Sequence, residues 1–210
     1  MDVDTEIRKA TIAGGRKCIA KILNASDEKY CDGRTYMDYT YRDLVKNEMI
    51  ISKHMSDIGI GPHIYDMALT DKQGIIIMDK FDGKLIELME MYYYDRTIYM
   101  TEILKKVETM MNKMHDYGII HNDIKSCNIM YKNNGEIVLM DWGKSVYSTS
   151  EELRNYDRAE LNAIRDLYNK INDGYAFEDP DYLYEEVISP PQPEITVNIN
   201  GEKCEYWWEW

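Results

Sequence analysis

The sequence predicts an α+β protein in two lobes: a small antiparallel β-rich lobe followed by a mainly helical one. Three observations lead there. Alternating apolar strands dominate the first eighty residues, with one helix among them. From residue 98 onward the apolar period becomes helical. At 210 residues and 44% apolar content the chain can bury a core of this size.

Residues 5–23 read as two strands, "TEIRKATIA" and "KCIAKIL", joined at Gly14-Gly15. After a polar stretch (24–38), "YRDLVKNEMIISKHMSDIG" carries the helical stripe Leu44, Ile51, Met55 and Ile58, closed by Gly59. "HIYDMAL" and "GIIIMDKF" form a hairpin around "TDKQG"; the second strand is continuously apolar and therefore central. Met100, Ile103, Leu104, Val107, Met111 and Met114 mark a helix over 98–114, ending near Gly118. "NIMY-KNNG-EIVLM" is a hairpin turning at Asn134-Gly135. Leu153, Tyr156, Ile164, Leu167 and Ile171 mark a third helix, closing at Gly174. "SPPQP" is a stiff spacer, and the C-terminal residues read as a hairpin turning at Asn200-Gly201. The expected units are therefore 1–80, 81–188 and 189–210, with a ligand cleft between the first two.

Composition narrows the function. A formal net charge of −13, from 38 acidic and 25 basic residues, disfavours nucleic acid or anionic lipid as partner. Four scattered cysteines without a C-x-x-C pair suit a reduced interior rather than disulfides or zinc. No secretory h-region and no membrane-length apolar run is present, so a soluble, cytoplasmic protein is expected.

The chemistry concentrates in "HNDIKSCNIM", residues 121–130. The hairpin that follows brings its two ends together, placing Asn128 beside Asp141. Two oxygen-bearing side chains there suit Mg²⁺. Asp123 is then placed to orient or deprotonate a hydroxyl, and Lys125 to offset charge on a transferring phosphoryl group. Glu48 lies on the inward stripe of its helix, where a carboxylate needs a partner, and Lys21 is the candidate. His121 reads as a structural hydrogen-bonder, His115 as a helix-end packing residue and Cys127 as inert. His54 and His63 lack metal-ligand spacing.

His121-x-Asp123-x-Lys125-x-x-Asn128 followed by Asp141-Trp142-Gly143 closely resembles the catalytic loop and D-F-G segment of eukaryotic-type serine/threonine protein kinases. "CIAK" resembles the kinase V-A-I-K strand, and "IIIMDKF" the strand and linker between kinase lobes. The resemblance runs over about residues 5–172, with the motifs in the family's order. It implies a protein-kinase-like fold with a reduced antiparallel β N-lobe and a shortened helical C-lobe. ATP and Mg²⁺ would be the cofactors, and a protein Ser/Thr hydroxyl the acceptor. Lys21, set by Glu48, would anchor the phosphates; Asp79 and Phe81 would offer backbone groups to adenine, with Met78 behind; Asn128 and Asp141 would hold the metal.

Three departures stand out. No G-x-G-x-x-G precedes Lys21. Asn122 replaces the Arg that reads an activation-loop phosphate, which implies activity without that phosphorylation. Only "KSVYSTSEELRNY" separates Gly143 from the next helix, with no A-P-E after it. The abbreviation is similar to that of RIO-type kinases, of the small kinase of the tRNA-threonylcarbamoyl complex, and of reduced viral or effector kinases, whose setting would be a host cytoplasm. The alternatives are a decoy or adaptor that binds a partner kinase or its substrate, and a small-molecule phosphotransferase. Trp207, Trp208 and Trp210 would pack on the helical lobe or form a partner surface, the first being favoured.

Overall fold

A computed structural model describes residues 4–31, 36–91, 97–172, 196–199 and 202–205. The sequence's "SPPQP" spacer, the Gly174 helix end and the C-terminal tryptophans lie outside them. The described chain is α+β and divides into two compact units.

The first unit holds residues up to 57, residues 62–80 and the C-terminal hairpin. Strands β1 (Thr5–Ile12) and β2 (Arg16–Asn24) pair antiparallel across a turn in which the Gly15 amide donates to the Ile12 carbonyl at 3.1 Å. Gly14 sits there at φ 82°, a conformation that side-chain-bearing residues rarely adopt. A short pair, β3 (Lys29–Cys31) with β4 (Tyr36–Thr40), leads into helix α1 (Tyr41–Asp57). Thr40 and Asp43 close the helix start reciprocally: Asp43 accepts from the Thr40 amide at 2.9 Å, and the Thr40 hydroxyl accepts from the Asp43 amide at 3.2 Å.

Strands β5 (Ile64–Leu69) and β6 (Gln73–Asp79) complete a sheet of order β1-β2-β6-β5. The continuously apolar β6 is an inner strand, as its sequence predicts. Period-two alternation puts Cys18 and Ala20 of β2 in one buried cluster with Ala10 and Ile77. It turns Lys21 and Leu23 to the opposite face. There Val45 and Met49 of α1 press so closely that a Cβ on Gly74, the register partner of Leu23, would meet Val45 at 2.4 Å. The buried stripe of α1 is Val45, Glu48, Met49, Ile51, Ser52 and Met55. Leu44, assigned to the stripe from sequence, is only half-buried; the neighbouring Val45 takes the inward position.

The second unit holds residues 58–61 and the chain from Phe81 onward to 185. Its strand β7 (Gly83–Lys84) leads into α2 (Leu85–Met91), a helix the sequence reading did not assign. Helix α3 (Thr97–Asp116) buries Met100, Ile103, Leu104, Val107, Met111 and Met114 and stops before Gly118 at φ 71°. Next come β8 (Ile119–Ile120), the loop 121–125, a 3-10 turn (Ser126–Asn128), β9 (Ile129–Tyr131) and β10 (Ile137–Leu139). Then follow a 3-10 turn (Trp142–Lys144), β11 (Val146–Tyr147) and helix α4 (Glu151–Asn172). β7, β9 and β10 form one small sheet, and β8 pairs with β11.

Helix α4 corrects one expectation. Tyr156, placed on its apolar stripe, is 52% exposed, while Asp157 is fully buried in phase with Leu161, Ile164 and Tyr168. The hydrogen bonds that Asp157 accepts explain the exchange. The final described elements, β12 (Thr196–Ile199) and β13 (Glu202–Glu205), form an antiparallel hairpin.

Candidate active site

The β9–β10 hairpin assembles a cluster of polar side chains. Its register pairs Ile129 with Leu139, and one step beyond, the Met140 amide donates to the Asn128 carbonyl at 2.8 Å. Asn128 and the residue before Asp141 thus face each other at the hairpin mouth. Asp141 then turns into the left-handed region (φ 68°, ψ 70°), which aspartate tolerates better than most residues. This breaks β10 and starts the 3-10 turn. Trp142 is buried against the His121 ring, with centroids 4.7 Å apart.

Asn128 reaches back to the loop: its amide nitrogen donates to the Asp123 carbonyl at 3.0 Å and to Asp123 Oδ2 at 3.1 Å. Lys125 Nζ lies 3.1 Å from the same Oδ2. Lys144 Nζ lies 3.2 Å from Oδ1, so each carboxylate oxygen of Asp123 has its own ammonium partner. Cys127 is buried, with Sγ 3.7 Å from Asn128 Oδ1.

Beneath this loop lies a fully buried carboxylate. Asp157 Oδ2 accepts the His121 amide at 3.0 Å and contacts His115 Nε2 at 2.8 Å; Oδ1 accepts the Asn122 amide at 2.8 Å. A carboxylate without water is tolerable when donors surround it, and here the His121 and Asn122 amides supply two of them. His121 Nε2 donates to the Met140 carbonyl at 3.0 Å, tying the loop to the end of β10. Burial pushes its imidazole below the usual histidine range, so the ring is neutral, despite the opposing pull of Asp157. Asn122 occupies the left-handed region at φ 61°, and its side chain donates to the Lys144 carbonyl at 3.2 Å. Glu160 accepts the Ile124 amide at 2.6 Å, and burial raises its pKa.

In the first unit, the structure brings Lys21 and Glu48 together. Lys21 Nζ lies 2.5 Å from Glu48 Oε1, with side chains 7% and 3% exposed. Strand alternation and the inward stripe of α1 place both on the same dry side of the sheet. Met78 is buried on β6. The Asp79 amide donates to the His63 carbonyl at 2.9 Å. The Asp79 carboxylate accepts the Tyr65 hydroxyl, which in turn accepts from Arg16 at 3.1 Å. Phe81, in the second unit, is buried beneath the Lys132 ammonium at 4.7 Å from its ring.

Sequence reasoning missed Asp157 and Lys144. The spacing Asp157, Leu161, Ile164, Tyr168 carries a helical signal that puts the aspartate inward. Nothing local marks Lys144, whose partner lies across the loop.

Residues 7–161 match the protein kinase domain, and the chain belongs to that family. Its relatives show which branches it is similar to. A serine/threonine-protein kinase of Corynebacterium glutamicum is 32% identical over 136 residues, 61% of this chain and 19% of that protein. A bifunctional tRNA threonylcarbamoyladenosine biosynthesis protein of Methanosphaera stadtmanae is 32% identical over 127 residues, 56% of this chain and 22% of that protein. A RIO-type serine/threonine-protein kinase of Methanocaldococcus jannaschii is 26% identical over 96 residues, 46% of this chain and 33% of that protein. The chain therefore spans at most 33% of the length of these relatives.

Proposed function

We propose that the chain is an ATP- and Mg²⁺-dependent protein kinase that transfers the γ-phosphoryl group to a Ser/Thr hydroxyl of a protein substrate. The observation that carries this is the side-chain set Asp123, Lys125 and Asn128 converging at the mouth of a hairpin whose other strand leads into Asp141. In the transfer, the acceptor oxygen bonds to the γ-phosphorus as its proton passes to Asp123. The bond from that phosphorus to the β–γ bridging oxygen breaks, and its electron pair leaves with ADP. Lys125, beside the same carboxylate, offsets the charge on the moving group. Lys21, held by Glu48, binds the phosphates, and Met78, Asp79 and Phe81 serve the adenine.

The donor set fits Mg²⁺: one carboxylate and one amide oxygen are hard ligands, and this ion takes few protein ligands beside phosphate oxygens and water. Asn128 and Asp141 would hold the ion, which would supply neutralising charge for the leaving group. Asn122 supports activity without activation-loop phosphorylation. Its side chain is committed to the Lys144 carbonyl, and it lacks the charged fork that reads a phosphate. Helix α4 begins at Glu151, so residues 144–150 alone connect it to Gly143. No described helix is long and apolar enough to cross a membrane, and a cytoplasmic setting belongs to the same reading.

One observation favours an adaptor instead. Gly14 and Gly15 form the β1–β2 turn, and among the described residues only β1 precedes the Lys21 strand. That turn does not carry the G-x-G-x-x-G pattern of a phosphate-covering lid. The test is incorporation of γ-³²P label with Mg²⁺, scoring self-labelling and a generic acceptor. Label in the wild type that disappears in Asp123→Ala and Lys21→Ala supports the kinase. A wild type that neither labels nor gains thermal stability with ATP supports the adaptor.

A further inference from the structure

The peptide group that joins Asp123 to Ile124 is gripped at both ends. Its carbonyl, from Asp123, accepts the Asn128 side-chain amide at 3.0 Å. Its amide, from Ile124, donates to Glu160 Oε2 at 2.6 Å. The two bonds leave one planar unit in opposite directions, so together they fix its rotation. That plane sets where Asp123 points, because the backbone torsion beside its Cα turns with it. The neighbouring side chains agree: Asp123 and Lys125 meet at 3.1 Å, while Ile124 between them is buried.

The grip comes from one turn of α4. Asp157 takes the His121 and Asn122 amides, upstream of the proposed base. Glu160 lies three residues on, along the same helix face, and takes the amide that follows Asp123. Its carboxylate also accepts the Tyr156 hydroxyl, which steadies it from its own helix. A carboxylate is costly here, since burial and the charges of Asp157 and Asp123 all raise its pKa. The bonds from Ile124 and Tyr156 offset part of that cost.

We propose that Glu160 is a positioning residue for phosphoryl transfer: by holding the Ile124 amide, it aims the Asp123 carboxylate at the acceptor hydroxyl. The inference rests on the kinase reading above. Glu160 acts on the reaction through Asp123, and its acceptor oxygen matters rather than its charge. Three substitutions separate the two. Glu160→Gln keeps an acceptor oxygen at full reach and drops the charge. Glu160→Asp keeps the charge on a side chain one methylene shorter. Glu160→Ala removes both.

The experiment measures kcat and the KM for ATP by γ-³²P transfer on the full chain, at saturating Mg²⁺, beside urea unfolding. Glu160→Ala and Glu160→Asp should lower kcat about tenfold to a hundredfold, the weight of a small misplacement of a reacting group. Their KM for ATP should stay at the wild-type value, because the nucleotide contacts are untouched. Glu160→Gln should keep kcat near wild type and unfold no earlier, since the charge that Asp157 and Asp123 oppose is gone. Wild-type kcat in Glu160→Ala overturns the inference. So does a Glu160→Gln protein that falls as far as Glu160→Ala, which is a charge effect, or a kcat loss that matches the loss of folded protein, which is a structural role. In each of these cases the wild type still transfers phosphoryl groups, and the kinase reading stands. A wild type that labels neither a generic acceptor nor itself overturns both.

Discussion

Two lysine–carboxylate clusters, one in each unit, show how burial decides what an ion pair does. Lys21–Glu48 is dry, with both side chains less than 10% exposed. Asp123 meets Lys125 and Lys144 in a wetter place, where the lysines are 36% and 44% exposed. Removing one partner of the dry pair strands a charge without water, so that pair fixes strand and helix relative to each other within the sheet unit. In the wetter cluster, solvent screens each contact and either lysine can exchange partners at small cost. The first arrangement holds a lysine still; in the second, on the proposed function, a carboxylate receives a proton.

The largest effect should fall on chemistry. Asp123→Asn removes the proposed proton acceptor, and turnover should drop about 10²- to 10⁴-fold in a quenched-flow or label-transfer assay. The unfolding midpoint should move little, because the two lysines that meet Asp123 keep their contact with water.

The dry pair should behave oppositely. Glu48→Ala should destabilise the protein by about 3–5 kcal/mol, read from urea unfolding. Replacing both partners, as Lys21→Met with Glu48→Leu, should restore most of that stability while leaving phosphate binding absent.

Asn122 comes next. Its left-handed backbone resists branched side chains, so Asn122→Val should cost about 1–2 kcal/mol, whereas Asn122→Gly should stay close to wild type. Differential scanning calorimetry separates these.

The smallest effect concerns pH. Burial lowers the His121 pKa in the folded state, so below the unfolded value of 6.5 the unfolded chain binds the proton that the folded chain refuses. That stability is full above pH 6.5 and drains away as pH falls toward the folded pKa. Glu160 has the opposite sign: its raised pKa favours the folded state below 4.5 and loses that contribution as pH rises through the folded value. As pH falls below 6.5 the His121 contribution is lost, and a His121→Asn protein should lack that slope in its melting temperature.

How much of this was legible in the sequence depends on how local each signal is. The β9–β10 hairpin announced itself by alternation and an Asn-Gly turn, and that alone put Asn128 near Asp141. Glu48 stood out because a carboxylate on an apolar helical stripe needs a cation. The same logic should have exposed Asp157, but Tyr156 offered a competing apolar position one residue away. Only the donors from His121, Asn122 and His115 decide between the two phases. Asn122 read from sequence as a lost phosphate sensor; its φ of 61° adds a backbone reason for asparagine there. Lys144 carried no local signal, because its contact joins residues 21 positions apart through a turn.

Asp123 is, on the proposed function, a chemical rather than an architectural carboxylate, in contrast to Asp157 beneath it. Label transfer and urea unfolding on the same preparation of Asp123→Asn test this most directly. A turnover loss of at least about a hundredfold with an unfolding midpoint near wild type is the predicted result. Wild-type turnover in the variant, or a turnover loss matched by an equal loss of folded protein, would contradict it.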